Sequence, residues 1–138
     1  MDIWQQVNQD IDQIVKDYRK VAAVGISDKP YRPSYDVARY LKNRGFTIFP
    51  VNPKLDRVLD LPCYPSLKDI PEPVEIVDIF RRPEFVLPVV EEAISIGAKV
   101  VWMQLGVVNE QAARLALEAG LKVVMDACLK VEVAYRGV

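Results

Sequence analysis

Five short, mainly apolar runs recur along the chain: Val21 to Ile26, Phe46 to Val51, Val74 to Phe80, Lys99 to Gln104 and Leu121 to Met125. Each is too short for a helix, rich in Val, Ile or Phe, and bounded by polar or turn-forming residues, as strands buried on both faces are. Between most of them lie segments with apolar residues at helical spacing. Val37, Ala38, Tyr40 and Leu41 form one such stripe, Val86, Val89, Val90, Ala93 and Ile94 a second, and Ala112, Ala113, Ala116 and Ala119 a third. Gly45, Gly97 and Gly120 stand where these helices should stop. Ser34 is the expected N-cap of the first and Asn109 of the third, while Pro83 suits the opening of the second. Pro88 costs that second helix a hydrogen bond unless it lies in the first turn.

Strands and amphipathic helices in alternation imply a parallel sheet covered on both faces by right-handed crossovers. The expectation is a doubly wound α/β fold of Rossmann type, a single domain over residues 1–138, with five strands in the order 3-2-1-4-5. Residues 2 to 18 place Ile3, Val7, Ile11, Ile14, Val15 and Tyr18 at helical spacing and read as one leading amphipathic helix. Pro50 removes one ladder bond from the second strand. Residues 55 to 73 hold four prolines and read as a folded surface connection, with room for one short turn capped by Ser66. After the fifth strand, Asp126-Ala127-Cys128-Leu129 turns into a short charged tail.

A net charge of −1 argues against nucleic acid as a general partner, because such binding needs a cationic surface. The chain has no histidine, which excludes Ser-His and Cys-His nucleophile pairs and the usual Cys/His zinc sites. Its two cysteines, Cys63 and Cys128, are far apart and read as free, buried thiols. The first residues lack the plan of a signal peptide and no apolar run approaches membrane-spanning length, so no membrane role and a cytoplasmic location are expected.

In a sheet of this kind ligands bind outside the carboxyl ends of the strands. The residues that follow each strand therefore describe the site. They are Ser27, Lys29, Arg32 and Ser34 after the first; Asn52, Pro53 and Lys54 after the second; Phe80, Arg81 and Arg82 after the third; Gln104, Leu105 and Gly106 after the fourth; Asp126 and Cys128 after the fifth. Cations, amides and small residues on one rim suit an anionic ligand with a flat apolar part. Gly25 closes the first strand and Pro33 lies just before Ser34, so strand, small-residue loop and helix start together resemble a phosphate-binding turn. A plain surface loop with solvated cations fits the same residues, and Arg81 and Arg82 could be a solvated pair beside Glu84. Asp78 interrupts the third strand and is expected to bond loop backbone near the strand end. Asp28, Asp78 and Asp126 are the acidic candidates for catalysis, and their spacing pairs no two of them at a reacting centre.

A nicotinamide site would want further glycines beyond Gly25 and an acidic residue where Asn52 stands. A more specific resemblance runs through Val24-Gly25-Ile26-Ser27, Lys29-Pro30, Arg32, Ser34, Pro50-Val51-Asn52-Pro53, Val77-Asp78-Ile79-Phe80-Arg81-Arg82-Pro83, Trp102-Met103-Gln104-Leu105-Gly106-Val107 and Val124-Met125-Asp126 with Cys128-Leu129-Lys130. From about residue 15 to 132 the chain resembles the stand-alone CoA-binding proteins, which are similar to the CoA-binding domain of the succinyl-CoA synthetase α subunit.

The resemblance implies CoA as the cofactor and CoA or acyl-CoA as the partner. It places the diphosphate at Gly25 to Ser34 with Lys29 or Arg32 neutralising phosphate. Asn52 to Lys54 would border the adenosine, Phe80 and Arg81 would line the adenine or phosphate side, and Gln104 to Gly106 would follow the pantetheine. Two positions depart from the family pattern: Ala127 stands where an arginine is common, and Val133 lies where a histidine often does. The synthetase reaction passes through a phosphohistidine outside this domain and does not transfer. The expected function is a CoA or acyl-CoA binding protein without its own catalytic machinery, a carrier, sensor or accessory subunit. The alternative is a CoA- or nicotinamide-dependent enzyme component whose partner supplies catalysis. The association expected is a homodimer, served by the exposed side of the first helix and Trp4, or an unidentified protein partner.

Overall fold

The computed structural model describes residues 2–138. In chain order its elements are α1 (Ile11–Asp17), β1 (Lys20–Val24), α2 (Pro33–Asn43), β2 (Thr47–Val51), β3 (Arg57–Val58), β4 (Leu61–Pro62), β5 (Ile76–Ile79), α3 (Val86–Ser95), β6 (Val100–Met103), α4 (Glu110–Glu118), β7 (Lys122–Val124) and α5 (Leu129–Arg136). The five longer strands form one parallel sheet in the order β2-β1-β5-β6-β7, and β3 and β4 form a separate antiparallel pair.

Alternation along each strand divides the core in two. Ala22, Val24, Val77, Ile79, Val101 and Met103 point to the face covered by α3 and α4. Val21, Ala23, Ile76, Val100 and Trp102 point to the face covered by α1, α2 and α5. Apart from Asp78 both layers are lined by apolar side chains, and the Val/Ile-rich runs owe their continuous hydrophobicity to this double coverage.

The five main strands are therefore in order 2-1-3-4-5 rather than the expected 3-2-1-4-5. Pro50 supplies part of the reason. Its carbonyl accepts Tyr64 N–H on the side away from β1, so the missing donor lies on the outer edge, where no full strand needs it. The connection after β2 supplies the rest. Val58 and Leu61 of the small hairpin belong to the α2 side, whereas Leu67, Ile70 and Val74 belong to the α3 side. This segment wraps the edge of the sheet and passes beneath β1, which delivers β5 to the far side of β1.

Two terminal expectations also change. Residues 2 to 18 are not one helix: a 3-10 turn at Ile3–Gln5 is separated from α1 by Asn8 at φ +59°. Ile3 and Val7 are buried on the α3/α4 side, Ile14 and Val15 on the opposite side, and one straight helix cannot face both. Asn8 fixes the break, donating to Met125 O at 3.0 Å and accepting Met125 N–H at 2.7 Å. The charged tail is the helix α5, whose Leu129 and Val133 are fully buried. Pro88 falls in the first turn of α3, and Asn109 caps α4 by accepting Ala112 N–H at 2.9 Å. Among the described residues no helix is long and apolar enough to cross a membrane.

Candidate functional site

The order of the strands reverses at β1. Its loop leaves toward α2 on one face, the loop after β5 leaves toward α3 on the other, and a crevice opens between them. Here lies a cavity of about 920 Å³, bounded by the loops after β1, β2, β5 and β6 and by Cys128 after β7.

The first wall is the loop from Gly25 to Ser34. Gly25 has φ +86°, and a Cβ there would stand 2.8 Å from Arg81 Cδ and 3.1 Å from Phe80 O, so only glycine lets the arginine stem cross it. Ser34 is buried inside the first turn of α2 instead of capping it. Pro33 is the first helical residue and Arg32 the N-cap, without a capping side-chain bond. The Ser34 hydroxyl turns back to accept Ser27 N–H at 2.9 Å, and Ser27 Oγ accepts Lys29 N–H at 3.0 Å. With no side chain capping α2, N–H groups of its first turn stay free for an anion.

The walls brace one another. Asn52 donates to Ile26 O at 2.8 Å and accepts Lys54 N–H at 2.9 Å, which joins the loops after β1 and β2. On the far side, Gln104 is buried and accepts Leu129 N–H at 3.0 Å, while Asp126 accepts Gly106 N–H at 2.8 Å. Phe80 is half-buried on the same face as Asp78 and Ile76, one pleat nearer the opening. Tyr31, 77% exposed, and Leu105, 65% exposed, flank the mouth.

Lys29, Arg32, Lys54, Arg81 and Arg82 line this cavity, and Asp28 is its one acidic lining residue. Asp28 lies 3.8 Å from Lys29 with both side chains exposed, an ion pair of little strength. The site is therefore cationic within a chain of nearly zero net charge. Arg81 is half-buried against Gly25 and over the Phe85 ring at 5.2 Å, and among the described residues no carboxylate lies within 4.0 Å of it, so it is not a solvated partner of Glu84.

The cavity brings together Gly25, Ser27, Lys29, Arg32, Pro33, Ser34, Asn52, Lys54, Phe80, Arg81, Gln104, Leu105 and Gly106. Pro53 is the exception; it borders a smaller cavity on the opposite face of the sheet. Sequence reasoning passed over Tyr31, Leu55 and Val107, which also line the space. For Tyr31 a signal existed, since an aromatic residue in a loop already singled out for its cations has no buried place to go. Ala127 leaves no cation in the last turn, and its carbonyl instead accepts the indole N–H of buried Trp102 at 2.8 Å. Val133 points into the core.

Asp78 departs from expectation. It sits within β5 between Ala23 and Trp102, 1% exposed, and neither carboxyl oxygen has a hydrogen-bond partner. Burial pushes its pKa well above the usual carboxylate value, and the residue does not line the cavity. Cys63 donates to Asn52 O at 3.6 Å, and burial raises its thiol pKa. Among the described residues no cluster of three or more His, Cys, Asp or Glu side chains could hold a metal ion.

A family described as "CoA binding domain" matches residues 19–134. The uncharacterized protein YneT of Bacillus subtilis is 41% identical over 122 residues, covering 88% of this chain and 90% of that one. A solved structure of a hypothetical protein from Pyrococcus horikoshii OT3 superposes with a TM-score of 0.91 at 43% identity, covering 94% of this chain and 92% of the other. Acetate–CoA ligase [ADP-forming] II of Archaeoglobus fulgidus is 37% identical over 83 residues, 59% of this chain but 12% of the ligase.

Proposed function

The chain belongs to the CoA-binding domain family, and from that premise we propose that it binds CoA or an acyl-CoA in the large cavity as a carrier, sensor or accessory subunit, without catalytic groups of its own. One observation carries the reading: the cavity at the strand-order reversal is lined by five cations against one acid and opens onto an uncapped helix start. CoA offers three phosphates, a purine and a neutral amide arm. The free N–H groups of α2, with Lys29 and Arg32, suit the diphosphate. Phe80 and Tyr31 offer aromatic faces to a base, and the backbone at Gln104 to Gly106 offers partners to amides. Asp28 and Asp126 are the acids beside the cavity, and Asp126 is engaged by Gly106, which leaves no carboxylate pair for acid–base chemistry.

Titration calorimetry with CoA, acetyl-CoA and NAD in parallel tests this. CoA and acetyl-CoA bind near the micromolar range, NAD at least tenfold more weakly, and Arg32→Ala costs about 1 to 3 kcal/mol, the worth of a charge-assisted hydrogen bond. Absence of CoA binding, or equal binding of NAD, overturns the reading. The likeness to part of a much longer ligase favours a second reading, a CoA-holding component of a larger acyl-CoA-forming assembly. Co-purification of an acyl-transferring or ATP-using protein with the tagged chain would favour that one.

A further inference from the structure

On the face opposite the large cavity, a second one of about 170 Å³ lies against the carboxyl ends of β1 and β2 beneath α3. The two cavities share Gly25 and Arg81 as their common wall. Its lining is mostly apolar, with Val24, Val51, Leu67 and Val89 among the walls, and carries two opposite charges, Arg81 and Glu92.

The charges are differently placed. Glu92 is already engaged, for its Oε1 accepts the backbone N–H groups of Leu67 and Lys68. Arg81 is half-buried, has no carboxylate within 4.0 Å among the described residues, and has only the Phe85 ring face as a charge partner. Arg81 lines the cavity and makes no hydrogen bond or ion pair among the described residues, and a guanidinium with open donors favours a planar, bidentate acceptor. The apolar walls favour a short hydrocarbon body, and an apolar cavity of about 150 Å³ holds one benzene-sized molecule. Glu92 nearby disfavours a phosphate or any dianion. One anionic, planar head on a body of few carbons satisfies all three conditions.

We propose that the smaller cavity is a second ligand site, one that takes a short-chain monocarboxylate with its head on Arg81 and its alkyl body among Val24, Val51, Leu67 and Val89. The site shares Arg81 with the large cavity, so butyrate is titrated into CoA-free protein and the two cavities are read separately.

The test is amide chemical-shift titration of the full chain with sodium butyrate, using sodium chloride and butyramide as controls. Saturable shifts at Val24, Val51, Leu67 and Val89 in the millimolar range are expected with butyrate, none with chloride, and at least tenfold weaker binding with the neutral amide. Val89→Phe fills the cavity and abolishes the shifts while CoA titration of the same sample stays unchanged. Glu92→Gln keeps the acceptor for Leu67 and Lys68 but removes the like charge, and tightens butyrate about fivefold. Shifts that never saturate, butyramide binding as well as butyrate, or unchanged binding in folded Val89→Phe each overturn the proposal. Failure of CoA to bind in these samples leaves it standing and refutes only the reading of the large cavity.

Discussion

Asp78 should make this protein less stable as pH rises above the ordinary carboxylate range, and replacing it with Asn should remove that trend. The carboxyl is 1% exposed with both oxygens unpartnered, and burial alone raises its pKa well above the ordinary 3.8. In the unfolded chain it ionises near that ordinary value. Above it the unfolded state has released a proton that the folded state keeps, so unfolding gains about 1.4 kcal/mol for every pH unit until the folded group also ionises. One proton sets the ceiling of this slope, which begins above the ordinary carboxylate value and ends where the folded carboxyl ionises. The window is clean: the chain has no histidine. Asp12 and Asp36, held low first by their hydrogen bonds to Lys16 and Lys130, act in the opposite sense, losing stability only as pH falls below the ordinary carboxylate value. Urea unfolding at pH 5, 6 and 7, followed by the fluorescence of buried Trp102, reads the effect as a falling midpoint at constant m. Asp78→Asn is close in size and cannot ionise, and its midpoint should stay level. Parallel slopes for the two proteins would refute the argument.

Gly25→Ala should lower the melting temperature by roughly 5 to 10 °C and weaken CoA binding, because the φ of +86° and the 2.8 Å approach to Arg81 Cδ together cost about 2 kcal/mol; an unchanged melting curve would show that Arg81 does not need that space. Asn52→Ala breaks the bonds to Ile26 O and Lys54 N–H and should cost about 1 to 2 kcal/mol in urea unfolding, with weaker CoA binding as the two loops part. Of the two thiols, Cys128 lines the large cavity while Cys63 is bonded to Asn52 O with its pKa raised. Modification by a disulfide reagent, followed by mass spectrometry, should therefore fall first on Cys128, and CoA should slow it there; protection of Cys63 instead would put the ligand elsewhere.

The alternation of strand and helix was legible because each local pattern has one cheap solution: Val- and Ile-rich runs need cover on both faces, and the stripes at Val37 to Leu41 and Val86 to Ile94 provide it. Strand order was less legible, since 3-2-1-4-5 and 2-1-3-4-5 cover both faces of every strand alike and differ only in whether the second or the third strand lies at an edge. Yet Pro50 carried a hint, because a strand flanked on both sides can ill spare a donor, and its place at an edge favours the observed order. The break at Asn8 was hidden for a different reason. Ile3, Val7, Ile14 and Val15 keep helical spacing although they serve opposite faces of the sheet, and only the distant Met125 backbone sets Asn8 at positive φ. The β3–β4 pair turns through Leu59 and Asp60, both at positive φ, where glycine or asparagine would have announced it.

The residues expected at the rim still meet at one cavity although the strand order differs, for a physical reason. Parallel strands bring all their carboxyl ends to one rim whatever their sequence in the sheet, so Gly25, Asn52, Phe80 and Gln104 were bound to meet once the strands were parallel. Order decides something finer, namely which loops diverge. With β5 beside β1, the loops after these two strands leave toward opposite faces, and Arg81 is laid across Gly25 in the gap between them. The crevice then has two sides with an arginine in the wall. In the 3-2-1-4-5 order β1 and β5 are not neighbours, and nothing would bring Arg81 to Gly25. The close approach of these two residues is thus a direct consequence of the observed order, and it is what gives the sheet a cavity on each face.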